Sequence, residues 1–131
     1  MTNESEVQSR GLAPEEFELP VEVVERIRHA CALLGIEVAP THAGPGLVLW
    51  REPWKPGTVA EVVQFSWYAS GQLLDACEAN RDTGPAEELY DVTGHLEETV
   101  ADVLRLTGLD VRRDPYTREW GVHGIIGPPP A

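Results

Sequence analysis

The sequence predicts an α+β domain in which a four-stranded antiparallel sheet is covered on one face by three helices, in the order helix, strand, strand, helix, helix, strand, strand. Three observations predict it. Apolar residues recur at helical spacing in three stretches, short alternating runs follow two of them, and the second half of the chain repeats a phrase of the first. LLGIEV at 33–38 aligns with LTGLDV at 106–111, each placed after an amphipathic helix and before a turn and a second strand. The same offset sets Leu47 against Trp120 and Leu49 against Val122, so an internal duplication is one expectation.

Residues 1–18 contain few groups that could pack and are read as a mobile acidic arm, with the single domain spanning 19–126 and a stiff Pro-rich tail at 127–131. From Pro20 to Leu34, Val23, Val24, Ile27, Ala30, Cys31 and Leu34 share one helical stripe, and Gly35 supplies a C-terminal cap. Ile36–Ala39 and Leu47–Arg51 read as paired antiparallel strands joined by a turn-rich stretch. Thr58 and Glu61 have capping-box spacing, and Val59, Val62, Val63, Ser66, Leu73 and Cys77 fall on one stripe, predicting a helix from Val59 to Asn80. A third helix is expected from Pro85 to Thr107, buried through Leu89, Val92, Leu96, Val100 and Val103 and capped by Gly108. Leu109–Arg113 and Glu119–Ile126 then form strands around the turn DPYTR. Leu47, Leu49, Leu109, Val111, Trp120 and Val122 are expected to face the helices, leaving Val48, Trp50, Arg112 and His123 on the open face.

The net charge is −12, and the stretch 75–102 carries nine acids against Arg81 alone. Such a field repels phosphate backbones and anionic lipid, so neither nucleic acid nor a membrane is expected as a direct partner. A protein with a basic surface is expected instead. No apolar run approaches bilayer length and the polar N-terminus lacks the pattern of a signal peptide, which makes the cytoplasm the expected location. Cys31 and Cys77 both fall on helical stripes and read as buried free thiols rather than metal ligands or a redox pair.

No motif ties a particular chemistry to particular residues, and no cofactor, metal or catalytic residue is expected. Asp91, His95, Glu98 and Asp102 line one helical face but lack a second ligand pair, so they read as a solvated face. His42 in THAGPG reads as loop, without P-loop spacing. Trp50 and Trp54, flanking the loop in WREPW, are candidate partner-contact residues because tryptophan is enriched at binding hot spots. Glu87, Glu88 and Asp91 join them as an acidic contact surface. Arg112 and His123, with Glu37, are the candidate ligand residues on the open sheet face.

The function expected from this reading is a non-enzymatic, acidic protein-interaction or regulatory module. In size, acidity and mixed pattern alone it is similar to secretion chaperones and to immunity or antitoxin-type proteins. The alternatives are a small-molecule-binding protein or minor enzyme with its pocket at the sheet face or a dimer seam, and a nucleic-acid mimic that occupies a basic protein. A homodimer through the open sheet face is also expected as an association mode.

Overall fold

Three helices and a four-stranded antiparallel sheet make up the domain, as the pattern of stripes and alternations predicts. The computed structural model describes residues 13–52, 55–80 and 86–129. The elements are α1 (Val21–Leu33), β1 (Gly46–Trp50), β2 (Val63–Tyr68), α2 (Gly71–Ala79), α3 (Ala86–Leu106), β3 (Leu109–Arg113) and β4 (Trp120–Ile125), preceded by a 3-10 turn at Pro14–Phe17. In space the strands run β1-β2-β4-β3. Two hairpins thus meet through their second strands, with α2 and α3 inserted between them in the chain.

The long helix expected over 59–80 is replaced by a strand and a shorter helix. Residues Val63–Tyr68 alternate VQFSWY, and two neighbours satisfy that alternation: Leu49 pairs with Phe65 on one side and Trp120 on the other. β-branched and aromatic side chains on a pleated surface between two strands gain more than they would on a helix with two serines and a glycine at its centre. The local signals also resolve differently. Thr58 donates its hydroxyl backwards to the Lys55 carbonyl at 2.9 Å, closing a turn, while Ser70 is the true cap, its Oγ accepting from Leu73 N–H at 3.1 Å.

The strand expected at Ile36–Ala39 reduces to one parallel bridge between Val38 and Leu47, with Ala39 N–H donating to the Leu47 carbonyl at 2.7 Å. Pro40 follows at once and has no N–H to extend the pairing. The strand that pairs with β1 is therefore β2, 13 positions beyond its end.

The layer assignment on β1, β3 and β4 follows the alternation. Leu47, Leu49, Val111, Trp120 and Val122 lie against the helices and are joined there by Val63 and Phe65. From α1, Val24, Ile27 and Cys31 complete this core, and from α3, Val100, Ala101 and Leu104. Each fully buried aliphatic or aromatic side chain contributes about 1.5–3 kcal/mol. Burial pushes the Cys31 thiol up to about 11, so it stays protonated, whereas Cys77 is only half-buried.

The buried stripe of α3 is shorter than expected. In its N-terminal half Val92 and Leu96 are exposed and Leu89 is half-buried. One α3 side chain mends the sheet instead. β4 pairs with β2 only as far as Phe65, and beyond it the Trp67 N–H donates to the Glu97 carboxylate at 2.8 Å.

Candidate functional site

The second sheet face is not open across β1. Pro14 and Phe17 fall within the stretch read as a mobile arm, yet both are buried, and their turn packs on β1. Glu18 holds this segment to the β1–β2 loop: its carbonyl accepts from Ala60 N–H at 2.9 Å and its carboxylate from Gly57 N–H at 2.7 Å. The turn at Thr41–Gly44 brings His42 over the same strand. His42 then meets Phe17 edge-on at 5.3 Å, Tyr68 at 5.8 Å and Trp50 at 6.2 Å.

Trp50, expected as an exposed contact residue, is 9% exposed under this cover. Its indole Nε1 donates to Ser66 Oγ across the β1–β2 pair at 3.1 Å. Trp54 lies outside the described residues.

What remains of the face is a groove of about 980 Å³ with Phe17, His42, Trp50 and Tyr68 as aromatic wall, Gln64 and Ser66 as floor, and Glu52, Asp114 and Glu119 as acidic rim. A smaller cavity of about 310 Å³ shares that rim and continues to Arg112 and His123. The structure thus places Trp50, Arg112 and His123 along one face, as expected. Glu37 does not join them; it lines a separate cavity beside α1 with Arg28 and Ile36. Arg112 is engaged by its own strand, its Nε and Nη2 donating to the Asp110 carboxylate at 3.2 and 2.7 Å.

Three polar atoms in the groove are buried without a hydrogen-bond partner: His42 Nδ1, Arg51 Nε and Gln64 Oε1. Arg51 is 8% exposed, and a second guanidinium nitrogen is held by the Thr58 carbonyl. The Gln64 amide is oriented by its Nε2, which donates to Glu119 Oε2 at 3.1 Å, so its oxygen points away from that carboxylate. Burial pushes the His42 pKa down. Desolvation, then the negative charges of Glu119 and Glu97, raises that of Tyr68.

Glu119 is pushed above the usual carboxylate range, first by desolvation and then by the Glu52 charge. A raised acid contributes stability that is present below its unfolded pKa and lost as pH climbs through its folded one. Glu119→Gln is therefore expected to raise stability slightly near neutral pH, an advantage that fades on acidification into the carboxylate range. Urea unfolding at both conditions measures it, and a gain that instead grows in acid would contradict the assignment.

A second surface lies at the other end of β2. α2 buries none of its nine residues. Leu73 is 46% exposed and Tyr90, at the start of α3, 71%, and a cavity of about 440 Å³ opens between Trp67, Tyr68, Leu74, Leu89 and Tyr90. On the same two helices the acids Asp75, Glu78, Glu88, Asp91 and Glu98 are exposed, and so is His95. The side chain of Glu87 lies outside the described ones. Among the described residues no cluster of potential metal ligands occurs, and no helix is long and apolar enough to cross a membrane.

Comparison with family models, with curated proteins and with solved structures finds no match.

The exposed α2–α3 surface had a partial signal in the sequence, the run of nine acids. Its apolar half had none, because Leu73 and Leu74 read as core on the longer helix. Gln64, Ser66 and Tyr68 carry no groove signal in the sequence for the same reason.

Proposed function

We propose that the chain acts by binding another protein, through the acidic and apolar surface of α2 and the N-terminal half of α3, rather than by catalysis. The observation that carries this reading is α2 itself: an amphipathic helix with acids on it, none of whose nine residues is fully buried in the domain. A helix so short is marginal alone, and tertiary packing of its apolar face is what normally holds one. Exposed leucine and tyrosine on two adjoining helices that also carry exposed acids is the pattern of a contact surface. Aromatic anchors surrounded by a polar rim give affinity at such surfaces, and the rim charges steer approach. The partner that fits presents basic side chains around an apolar protrusion able to enter the cavity between Leu74, Leu89 and Tyr90.

Two copies meeting through the sheet groove would bring the Glu52, Asp114 and Glu119 rims together, so that face favours a partner other than a second copy.

The test is co-purification from native lysate under gentle cross-linking, followed by affinity measurement on the recovered basic protein. Tyr90→Ala is expected to cost about 2 kcal/mol of binding, roughly thirtyfold in Kd. Glu88→Lys with Asp91→Lys is expected to slow association and flatten its salt dependence. A partner bound equally by wild type and both variants, with unchanged unfolding curves, would sink the reading.

A further inference from the structure

We propose that the groove on the second sheet face is a binding site for a small planar heteroaromatic molecule, neutral or cationic, that carries a hydrogen-bond acceptor and donor on one edge.

The argument begins with burial. Arg51 is more than nine-tenths buried and its Nε–H finds no acceptor, while Gln64 Oε1 and His42 Nδ1 are buried nearby in the same groove without partners. Leaving a buried polar atom unsatisfied costs about 1–3 kcal/mol each, and native domains tolerate few such atoms. Three of them in one cavity mark a place where hydrogen bonds are made to something else. The two whose polarity is fixed are complementary: Arg51 Nε–H can only donate, and Gln64 Oε1 can only accept, because Glu119 already holds the amide nitrogen. A ligand that satisfies both offers an acceptor and a donor, as an amide, lactam or aminopyrimidine edge does.

The walls select the rest of the molecule. Phe17, Trp50 and Tyr68 line the same groove as these polar atoms and each meets the His42 ring edge-on or tilted, at interplanar angles of 57–72°, rather than stacked on it. A flat ring is the shape that such walls contact best. The volume suits a small ligand. The acidic rim then excludes anions: a carboxylate or phosphate would enter past Glu52, Asp114 and Glu119 against like charge. A nucleoside or an aromatic amide fits this description, and the matching nucleotide or aromatic acid does not.

Two matched probe pairs separate these features: nicotinamide against nicotinate, and cytidine against cytidine 5′-monophosphate. Each pair keeps the ring and changes the charge. Titration into the isotopically labelled protein, followed through the Gln64 side-chain amide and the Trp50 indole N–H, reads binding even at millimolar affinity. The neutral member of at least one pair is expected to shift both resonances saturably, and its anionic mate to bind at least tenfold more weakly. Gln64→Leu removes the acceptor without opening a cavity and is expected to weaken the neutral probe about tenfold. Trp50→Phe keeps the wall filled and reports on stacking should the leucine variant not fold. The proposal is overturned if neither neutral probe moves these resonances, if the anions bind as well, or if folded Gln64→Leu binds like wild type.

Discussion

Phe65→Ala is expected to cost the domain about 3–5 kcal/mol, and Val59→Ala to leave it within about 0.5 kcal/mol. The contrast follows from β2. Phe65 is 1% exposed, pairs across to Leu49 and Trp120, and lies nearly parallel to the Trp120 indole at a centroid distance of 6.2 Å, whereas Val59 is 66% exposed. Removing the phenyl ring leaves a cavity under the two central strands that neither neighbour can fill. Trp120 cannot slide into it, because Arg105 and Arg113 hold its ring with guanidinium carbons 5.4 and 5.2 Å from the centroid. Both guanidiniums are themselves fixed on backbone carbonyls, Arg105 on Val111 and Arg113 on Arg118. With a typical total stability of about 5–15 kcal/mol, the alanine variant is expected to melt roughly 10–20 °C lower. A helix over 59–80 predicts the reverse, since Val59 would sit on its buried stripe and Phe65 off it. Chemical denaturation of the two variants decides between them.

Much of the fold was legible because its strongest signals are local. α1 reads directly from Val23, Val24, Ile27, Ala30 and Cys31, which all prove buried. The turn at DPYTR reads from Asp114, whose carboxylate accepts from Tyr116 and Thr117 N–H at 2.8 and 3.0 Å; those bonds hold it below the usual carboxylate range. β2 is hidden in the sequence for the opposite reason. Its stabilisation comes from partners 16 and 55 residues away, such as Leu49 and Trp120, and no window of local periodicity contains them. Over 59–77 a 3.6-residue count and a 2-residue count both find apolar matches, and long-range pairing breaks the tie.

The groove was harder to read than the fold. Its floor is the polar side of the misread strand, and its wall includes Phe17 from a stretch that composition marks as unpacked. The sequence places Trp50 on the second sheet face, but its cover comes from His42 and Phe17, whose approach depends on the Glu18 contacts with Gly57 and Ala60. The acidity of α2 and α3 was plain in the sequence. That the N-terminal half of α3 leaves Leu89 half-buried and Tyr90 and Val92 exposed is not visible in its apolar spacing.

Gly108→Ala is expected to destabilise the domain by about 2–4 kcal/mol, against about 1 kcal/mol for Gly35→Ala. These two glycines occupy the same place in LLGIEV and LTGLDV and end α1 and α3 with positive φ, 76° and 88°. A β-carbon at either position bears the left-handed backbone penalty. Only at Gly108 does it also collide. A methyl group there would stand 2.9–3.0 Å from the Gly127 backbone, while nothing lies within 4 Å of the one at Gly35. Gly127 cannot retreat without loss: the N–H groups of Ile126 and Gly127 both donate to the Gly108 carbonyl, at 2.8 and 3.0 Å, and Arg26 from α1 donates to the Gly127 carbonyl at 3.1 Å. The glycine thus fastens the end of α3, the exit of β4 and the middle of α1 in one place. Paired unfolding curves measure the difference. Equal losses at 35 and 108 would mean that the chain after β4 is free to move aside, and that the α1 clamp through Arg26 contributes little.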